Sequence, residues 1–319
     1  RPYPTIPWRR QIFQGADDVP LWGWWACPAE AQGTIIFNYG ITGSLETAWY
    51  SHLLAHKAYA QGWAVCLYDW RSHGHSVALS PVPSSDGWRE GEDQVKIAQT
   101  LVQLGCPPFV ALVGFSLGGQ LALWGLKTAS EQACPYIQTA ATICPSLDSN
   151  RSLAFLGSTP AGRWIEQRLT RELRDYAQQR LQYFPHSTTP EAIQRIQCIA
   201  DFDREMVIDY YGFPSVEDYY QQTSPLYFLE TLERPYLILY AADDPLFEPA
   251  LVAELPQKMA NNPAAHLLLT RYGGHVSHIA SQTTTEDRFW GFNRLLEFCQ
   301  QQHRIATLNT TQQPLVHRE

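Results

Sequence analysis

The sequence predicts an α/β fold with a mostly parallel central sheet, helices on both faces and an inserted helical cap. Short apolar runs rich in β-branched residues alternate with helical patterns through most of the 319 residues, and this alternation stops over residues 147–231. Such alternation is typical of a parallel sheet whose two faces are covered by helices. Ligands of such sheets bind beyond the C-terminal ends of the strands, so we expect the functional side chains there.

The predicted strands are apolar runs bounded by turn residues. They cover residues 34–37, 63–68, 109–113, 139–144, 236–240 and 266–270. Helical periodicity predicts helices over about 48–61, 93–104, 117–127 and 286–301. We therefore assign residues 1–146 and 232–302 to the core, 147–231 to the cap, and 303–319 to a polar, loosely ordered tail.

Composition narrows the class of protein. Hydrophobic residues make up 45% of the chain, which indicates a globular protein, and the net charge of −8 disfavours nucleic acid as a partner. No apolar run is long enough for a transmembrane helix, and the N-terminus lacks both Met and the apolar core of a signal peptide. The seven cysteines are scattered, without a Cys-x-x-Cys pair, which favours reduced thiols in a cytoplasmic protein.

The stretch Gly114-Phe115-Ser116-Leu117-Gly118 lies between a predicted strand and a predicted helix. A strand, a sharp turn and a helix are what a nucleophile elbow needs, because the turn projects the serine hydroxyl from the sheet edge. Small flanking residues allow strand and helix to approach closely. The alternative is a glycine-rich turn with a bystander serine. We take Ser116 as the candidate nucleophile.

A serine nucleophile needs a base and an orienting acid, and the order serine, acid, histidine is expected after such an elbow. Asp243 and Asp244 follow the predicted strand at 236–240. Asp244 is preferred as the acid because a proline and two apolar residues follow it, and Asp243 is then expected to cap the turn. His275 follows two glycines after the last strand and is preferred as the base over His278.

The oxyanion of an acyl-transfer reaction needs two backbone N–H donors. We predict that Leu117, directly after the nucleophile, supplies one, and that Ile41, in the glycine-containing loop after the strand at 34–37, supplies the other. His73 and His75 form a His-x-His pair, but no carboxylate or further histidine stands at ligand spacing. A structural loop held by Asp69 and Arg71 is preferred there, and neither a metal nor a cofactor is expected.

The cap contains apolar residues at helical spacing with arginines on the other face. The pattern fits a cap helix, and it also fits a helix lying on a membrane surface, so peripheral membrane contact stays open. Several aromatic side chains in the cap favour an apolar acyl chain as ligand, although core packing explains them equally well. They are Trp164, Tyr176, Tyr183, Phe184, Tyr210 and Tyr211.

Over about residues 20–301 the chain resembles the α/β-hydrolase superfamily, and more narrowly its YheT-like branch of esterases and lipases. The stretches that carry the narrower resemblance are Gly40-Ile41-Thr42-Gly43-Ser44, Gly114-Phe115-Ser116-Leu117-Gly118-Gly119, Ala242-Asp243-Asp244-Pro245 and Gly273-Gly274-His275-Val276. The cap adds Phe202-Asp203, Gly212-Phe213, Asp218-Tyr219-Tyr220 and Ser224. Two positions depart from the family, since Asn38-Tyr39-Gly40 replaces its usual His-Gly and Ser72 replaces a common glycine.

The resemblance implies hydrolysis of acyl or lipid esters by a Ser-Asp-His triad without a cofactor. Our hypothesis is a serine hydrolase that cleaves carboxylic esters through an acyl-enzyme on Ser116, with Asp244 and His275 as partners. The alternatives are acyl transfer through the same intermediate, a non-catalytic binding protein of the same fold, and lipid remodelling at a membrane surface. The sequence leaves the acyl and alcohol groups and the oligomeric state open.

Overall fold

The computed structural model describes residues 3–281 and 286–312 and contains one eight-stranded sheet. The strands are β1 (Arg9–Gln14), β2 (Pro20–Ala26), β3 (Gly33–Asn38), β4 (Trp63–Tyr68), β5 (Val110–Phe115), β6 (Ile137–Ile143), β7 (Tyr236–Ala241) and β8 (Ala265–Thr270). Their order is β1-β2-β4-β3-β5-β6-β7-β8. The pairs β1–β2 and β2–β4 are antiparallel, and the pairs from β4 to β8 are parallel. The C-terminal ends of β3 to β8 therefore meet at one sheet edge.

All six predicted strands are present, with ends that differ from the prediction by at most two residues. The antiparallel strands β1 and β2 were not predicted. In β1 only Phe13 is buried, because this strand forms the exposed edge of the sheet and lacks a continuous apolar run. In β2, buried and half-buried side chains alternate. Its sequence has tryptophans and a glycine where the inner strands have a run of β-branched residues, so the apolar run that identifies an inner strand is missing.

Three helices follow the first parallel strands, and all three were predicted. They are α1 (Trp49–Ala60), α2 (Trp88–Gln103) and α3 (Leu117–Glu131). The apolar side of α2 and nearly all of α3 are buried, so these helices pack on the sheet and against each other. The start of α3 directly after β5 fixes the position of Ser116.

Between β6 and β7 the chain forms helices, and residues 147–231, all described, contain no strand. The helices are α4 (Ser149–Ser158), α5 (Pro160–Tyr183), α6 (Pro190–Arg195), α7 (Ile199–Met206), α8 (Ile208–Tyr211) and α9 (Val216–Thr223). Four of them begin after a side chain that accepts a hydrogen bond from the first turn, which satisfies an amide that the helix leaves free. These residues are Asp148, Thr159, Thr189 and Ser215. We call residues 147–231 the cap.

The apolar side of α5 is packed inside the protein. Leu173 is 3% exposed and clusters with Leu156 and Ile199 of the cap, next to Ile41 and Leu246 of the core. The amphipathic pattern of α5 is thus explained by packing between cap and core. No helix among the described residues is both long and apolar enough to span a bilayer.

The last helices are α10 (Pro249–Met259), which was not predicted, and α11 (Trp290–Gln312). The prediction of a loose tail from residue 303 is wrong, because α11 continues through residue 312. His303 packs its ring on Phe109 at 5.1 Å and on Trp63 at 5.8 Å between centroids, so the helix is held to the core beyond its predicted end. Residues 313–319 of the predicted tail lie outside the described residues.

Candidate active site

Ser116 lies in the turn between β5 and α3 with φ 55° and ψ −124°, a backbone conformation that L-residues rarely adopt. The flanking glycines allow this turn. A Cβ on Gly114 would lie 2.2 Å from the carbonyl oxygen of Gly118, and a Cβ on Gly118 would lie 2.2 Å from that of Tyr39. Neither backbone clash can be relieved by a side-chain movement. The elbow therefore requires glycine at both positions to bring β5, α3 and the loop after β3 together.

Ser116, His275 and Asp244 form a continuous chain of hydrogen bonds. The Oγ of Ser116 lies 2.9 Å from Nε2 of His275, and Nδ1 of the same ring lies 2.9 Å from Oδ2 of Asp244. With the ring hydrogen on Nδ1, His275 donates to the carboxylate and its Nε2 accepts the serine proton. Asp244 is 5% exposed, and its Oδ1 accepts from the amide of Leu246 at 2.9 Å. The arrangement is that of an activated nucleophile with an oriented base.

The two adjacent aspartates contact the same loop in different ways. While Asp244 contacts the imidazole of His275, Oδ1 of Asp243 accepts from the amides of Gly273 and Gly274 at 2.9 and 2.8 Å. Asp243 thus fixes the loop that carries His275, a role wider than the turn cap predicted for it. One aspartate orients the ring and the other positions its backbone.

His278, the alternative base, is held elsewhere. Its Nε2 lies 3.1 Å from Oγ1 of Thr270, and its ring stacks on Trp290 with centroids 6.2 Å apart. Burial lowers the pKa of His278, which keeps the ring neutral. The structure brings His275, and not His278, to Ser116.

Ile41 and Leu117 both line a cavity together with Ser116. Within residues 3–281 and 286–312, neither amide donates to a protein acceptor, so both are free to bind an oxyanion. The loop approaches closely because residue 40 is glycine, where a Cβ would lie 3.2 Å from Cβ of Ser116. The amide of Gly40 donates to the Tyr50 hydroxyl at 3.0 Å. These contacts bring the loop that carries Ile41 close to Ser116.

The first departure from the family is accommodated by side-chain hydrogen bonds under this loop. Asn38 is fully buried, accepts from the Tyr68 hydroxyl at 2.7 Å, and donates to the side chain of Gln94. The Tyr39 hydroxyl donates to Oδ1 of Asp69 at 2.9 Å, and the same oxygen accepts from the amide of Leu45 at 2.8 Å. Asp69 therefore anchors the loop that presents Ile41, and its Oδ2 also accepts from the amide of His75 at 2.8 Å, which holds its own loop as the structural interpretation of this motif predicts.

The second departure, Ser72, has φ 59°, in the left-handed region that favours glycine. Its hydroxyl donates to the carbonyl of Val82 at 2.6 Å and accepts from the buried guanidinium of Arg180 in α5. The serine thus links the core loop to the cap, a contact that glycine lacks. Arg71 forms a buried ion pair with Asp93 at 2.7 Å.

The two histidines of the His-x-His pair point to different partners. His73 is 4% exposed, stacks on Trp70 at 3.9 Å and donates from Nδ1 to the Arg71 carbonyl at 2.8 Å. Burial lowers the pKa of His73 to about 4, so its ring is neutral. His75 faces Glu46 at 3.2 Å. This separation does not bring the two rings to one metal ion.

Cys144, Asp244 and His275 have possible ligand atoms within 4.8 Å of one another. Burial raises the pKa of the Cys144 thiol well above its usual range, so the thiol stays protonated, whereas a metal ligand must be a thiolate. The thiol lies 3.6 Å from the carbonyl of Gly274. These residues are therefore better explained as hydrogen-bonding partners that hold the His275 loop than as metal ligands. All seven cysteines are free thiols, as predicted.

Ser116 lies where two cavities meet. The cap cavity, about 110 Å³, extends under the cap and is lined by Ser116 and Leu117 but not by His275. Its walls are largely aliphatic and aromatic, with Leu153, Leu156, Leu169, Leu173, Ile199, Phe202, Val207 and Phe247. The histidine cavity, about 390 Å³, is lined by Ser116 and His275 together with apolar side chains that include Trp49, Tyr50, Phe289 and Phe292. Each volume is several times what one water needs.

Two acidic residues of the cap cavity were not singled out as site residues from the sequence. Asp86 lies in the core loop before α2, and Asp203 lies in α7. A signal for Asp203 exists, because the buried residues of α7 are Ile199, Asp203 and Met206, which places a carboxyl on the apolar face of the helix. Asp86 lies in a loop without such a pattern, so its place in the cavity can be recognised only from the tertiary structure.

Comparisons of the sequence and of the structure with known proteins find relatives of the same fold. A sequence profile described as the alpha/beta hydrolase family matches residues 40–286. The chain is 40% identical to slr0264 of a Synechocystis strain, named as a candidate esterase, over 91% of this chain and 84% of that protein. It is 27% identical to YheT of Escherichia coli, also named as a candidate esterase, with the same coverage of 91% and 84%. The Pyrococcus furiosus esterase Pf2001 has the same fold, with a TM-score of 0.60, 19% identity and coverage of 93% and 91%.

Proposed function

The chain belongs to the alpha/beta hydrolase family, in the branch that includes YheT, and we propose that it cleaves carboxylic esters through an acyl-enzyme on Ser116. The predicted fold and family resemblance are confirmed. The observation that supports the chemistry is the hydrogen-bonded chain from Ser116 through His275 to Asp244, with two distances of 2.9 Å. A serine hydroxyl gains nucleophilicity when such a base removes its proton.

In the proposed reaction, Oγ of Ser116 attacks the ester carbonyl while Nε2 of His275 takes the hydroxyl proton. Asp244 stabilises the imidazolium that forms, and the amides of Ile41 and Leu117 donate to the oxyanion. The C–O bond of the ester then breaks, and His275 returns the proton to the departing alcohol. Water, deprotonated by His275, next attacks the acyl-enzyme and releases the acid and free Ser116.

The two cavities suggest where the halves of the ester bind. The leaving oxygen must lie near Nε2 of His275, because that nitrogen protonates it. The histidine cavity therefore takes the alcohol and the attacking water, and the cap cavity takes the acyl chain. The apolar walls of the cap cavity favour a hydrocarbon chain over a charged group. An aliphatic or lipid ester is the proposed substrate class.

Acyl transfer is the second candidate, supported by the apolar walls of the histidine cavity. An alcohol held there against Trp49 and Phe289 would be deprotonated by His275 in place of water, giving a new ester. Product analysis during hydrolysis with added alcohol separates the two reactions. New ester in excess of free acid would favour transfer, and free acid alone would favour hydrolysis.

A fluorophosphonate probe tests the proposed nucleophile, because it reacts covalently with activated serines. We expect the wild-type protein to be labelled and Ser116→Ala to remain unlabelled. Ser158→Ala, at an exposed serine of α4, is the matched control and should label normally. Absence of labelling in the wild type, or labelling of Ser116→Ala, would contradict the proposal and favour a non-catalytic protein of this fold.

A further inference from the structure

The cap cavity is apolar along its walls but has a polar patch formed by both core and cap. Asp86 and Ser84 come from the core loop before α2, Asp203 from α7 and Ser149 from α4. Among the described residues that line this cavity, none is a lysine or an arginine. We call Asp86, Asp203, Ser84 and Ser149 the polar patch. An aliphatic chain alone gives no reason for such groups in the cavity.

The polar patch contains hydrogen-bonding atoms that the protein leaves without partners. Asp203 is 5% exposed, and its Oδ2 accepts from the Tyr220 hydroxyl, while Oδ1 accepts nothing within the part of the chain that the structure describes. The hydroxyl of Ser149, 7% exposed, forms no hydrogen bond among the described residues, and that of Ser84 has no partner among them either but is itself enclosed by protein atoms. Buried polar atoms are normally paired, so unpaired ones that line a cavity point to a ligand.

The two carboxyl groups share one electrostatic environment. Burial raises the pKa of Asp86 well above its usual range, and the neighbouring carboxyls of Asp203 and Glu90 raise it further, against the lowering effect of a hydrogen bond from Tyr219. Burial raises the pKa of Asp203 to about 7, against the lowering effect of the Tyr220 hydrogen bond. The pair therefore holds at least one proton near neutral pH and presents a carboxylic acid donor beside carboxylate acceptors.

The core side of the polar patch is held in place. Asp86 has φ 51°, and its carbonyl accepts from the side-chain amide of Gln120 at 2.7 Å. Glu90, four residues further along the chain, accepts from the amides of Ser85 and Gly87 at 3.0 Å each and from the Ser85 hydroxyl at 2.6 Å. Glu90 is thus engaged in the loop, whereas the Asp86 carboxyl interacts with the Tyr219 hydroxyl, which has no other partner among the described residues. This ordered loop places Asp86 in the lining of the cavity.

We propose that the polar patch binds a hydroxyl group carried by the acyl chain, so that the protein prefers esters of hydroxylated acids. This inference rests on the proposed function, because it assumes that the acyl chain occupies the cap cavity. A hydroxyl donates to a carboxylate and accepts from a carboxylic acid, so it satisfies both members of the pair. A methyl group there would leave Oδ1 of Asp203 without a partner, and a carboxylate would be repelled.

The test compares p-nitrophenyl esters of short, medium and long straight-chain acids, each as a methyl-terminated, a terminally hydroxylated and a terminally carboxylated form. The alcohol is constant, so differences report on the acyl side. In a purely apolar pocket the methyl-terminated ester would have the higher kcat/KM, because hydroxyl burial costs free energy. We expect the hydroxylated ester to be preferred by at least about tenfold at one chain length.

Three variants test whether the polar patch causes the preference for the hydroxylated ester. Asp203→Leu, which branches at Cγ as aspartate does but is larger and cannot form hydrogen bonds, is expected to reverse the preference towards the methyl-terminated ester. Asp86→Asn provides a second, milder variant should the leucine disturb folding, and is expected to weaken the preference several-fold. Asp209→Asn, at an exposed acid in the neighbouring helix α8, is the control and should retain the wild-type ratio.

The outcomes separate this inference from the proposed function. If the wild type is labelled by the fluorophosphonate and hydrolyses plain esters, but shows no preference for the hydroxylated form at any length, the inference is wrong and the hydrolase remains. A preference for the carboxylated ester would also overturn it. If neither labelling nor hydrolysis occurs, the proposed function fails and the inference fails with it.

Discussion

The sheet edge and the cap form different walls of one cavity, and they hold their polar groups in different ways. At the sheet edge the positions are set by the backbone, as in the strained turn at Ser116 and the two amides that donate to Asp243. In the cap they are set by side chains, as where the Tyr220 hydroxyl binds Asp203. A backbone-determined geometry tolerates little substitution, whereas side chains on packed helices can change without moving the reacting atoms.

The largest expected effect tests the sheet edge at its reacting groups. Asp244→Asn replaces the carboxylate that accepts from Nδ1 of His275 and so disfavours the tautomer in which Nε2 is basic. We expect kcat for p-nitrophenyl ester hydrolysis to fall by about 10³–10⁴. Asp209→Asn serves as the control. A loss below about tenfold would show that Asp244 does not orient the base.

A pair of glycine variants compares the backbone of the two regions directly. Gly118→Ala places a Cβ against the carbonyls of Tyr39 and Asn38, so the loop that presents Ile41 must move away, and kcat/KM should fall by about 10². Gly157→Ala in α4 meets nothing within 4 Å and should leave activity unchanged, with unfolding free energy the same or raised by up to ~1 kcal/mol. Similar effects at both positions would contradict the contrast between the regions.

Asp243 tests positioning at the sheet edge without touching the reacting atoms. Asp243→Ala removes the acceptor for the amides of Gly273 and Gly274, and we expect kcat to fall by about tenfold with little change in KM. Asp243→Asn keeps an acceptor oxygen and should recover most of the loss. An unchanged kcat in the alanine variant would show that the loop carrying His275 needs no such support.

The smallest expected effect lies in the cap and concerns stability against pH. The pKa of Asp203 is raised by burial from 3.8 to about 7, so between these values the folded protein binds a proton that the unfolded chain has lost. Stability therefore falls as pH rises through this window, by up to about 1.4 kcal/mol per pH unit. Asp86, Tyr219 and Tyr220 are the titratable groups around this carboxyl.

Asp203→Asn removes this titration, so its melting temperature should fall less between about pH 4 and pH 7 than that of the wild type. Thermal unfolding followed by circular dichroism across this range measures the difference. Asp209→Asn is again the control. Parallel pH profiles for the wild type and Asp203→Asn would mean that the cap buries no proton-binding carboxyl at this position.

The difference between the regions also explains what the sequence could predict. Inner strands such as Trp63–Tyr68 are buried on both faces and so form recognisable apolar runs, and the residues at their ends follow from the parallel order. The edge strand Arg9–Gln14 has one buried side chain and gives no such run. Helix α11 was predicted to end too early. Beyond the predicted end the helix contacts the core through the ring of His303, which packs on Trp63 and Phe109, and an isolated ring contact leaves no apolar pattern in the sequence.

At the site, too, local sequence patterns were predictable and tertiary contacts were not. Ser116, Asp244 and His275 belong to motifs with fixed neighbours, so their proximity was predictable, and the choice of Asp244 over Asp243 agrees with the hydrogen bond to His275. The pairing of Asp86 with Asp203 was not predictable, because it joins a core loop to a cap helix 117 positions away, and neither residue belongs to a catalytic motif. Side-chain contacts between separately folded segments leave little trace in local sequence patterns.

The position of Ser116 at the junction of two cavities has a kinetic consequence. In the proposed reaction, an alcohol released into the histidine cavity can depart while the acyl group is still held under the cap, and the second reactant then enters the space that the alcohol has left. Such an order gives substituted-enzyme kinetics, with parallel double-reciprocal plots when ester and acceptor alcohol are varied together. It also means that large alcohols and long acyl chains do not compete for the same volume, so the two halves of the substrate can vary independently.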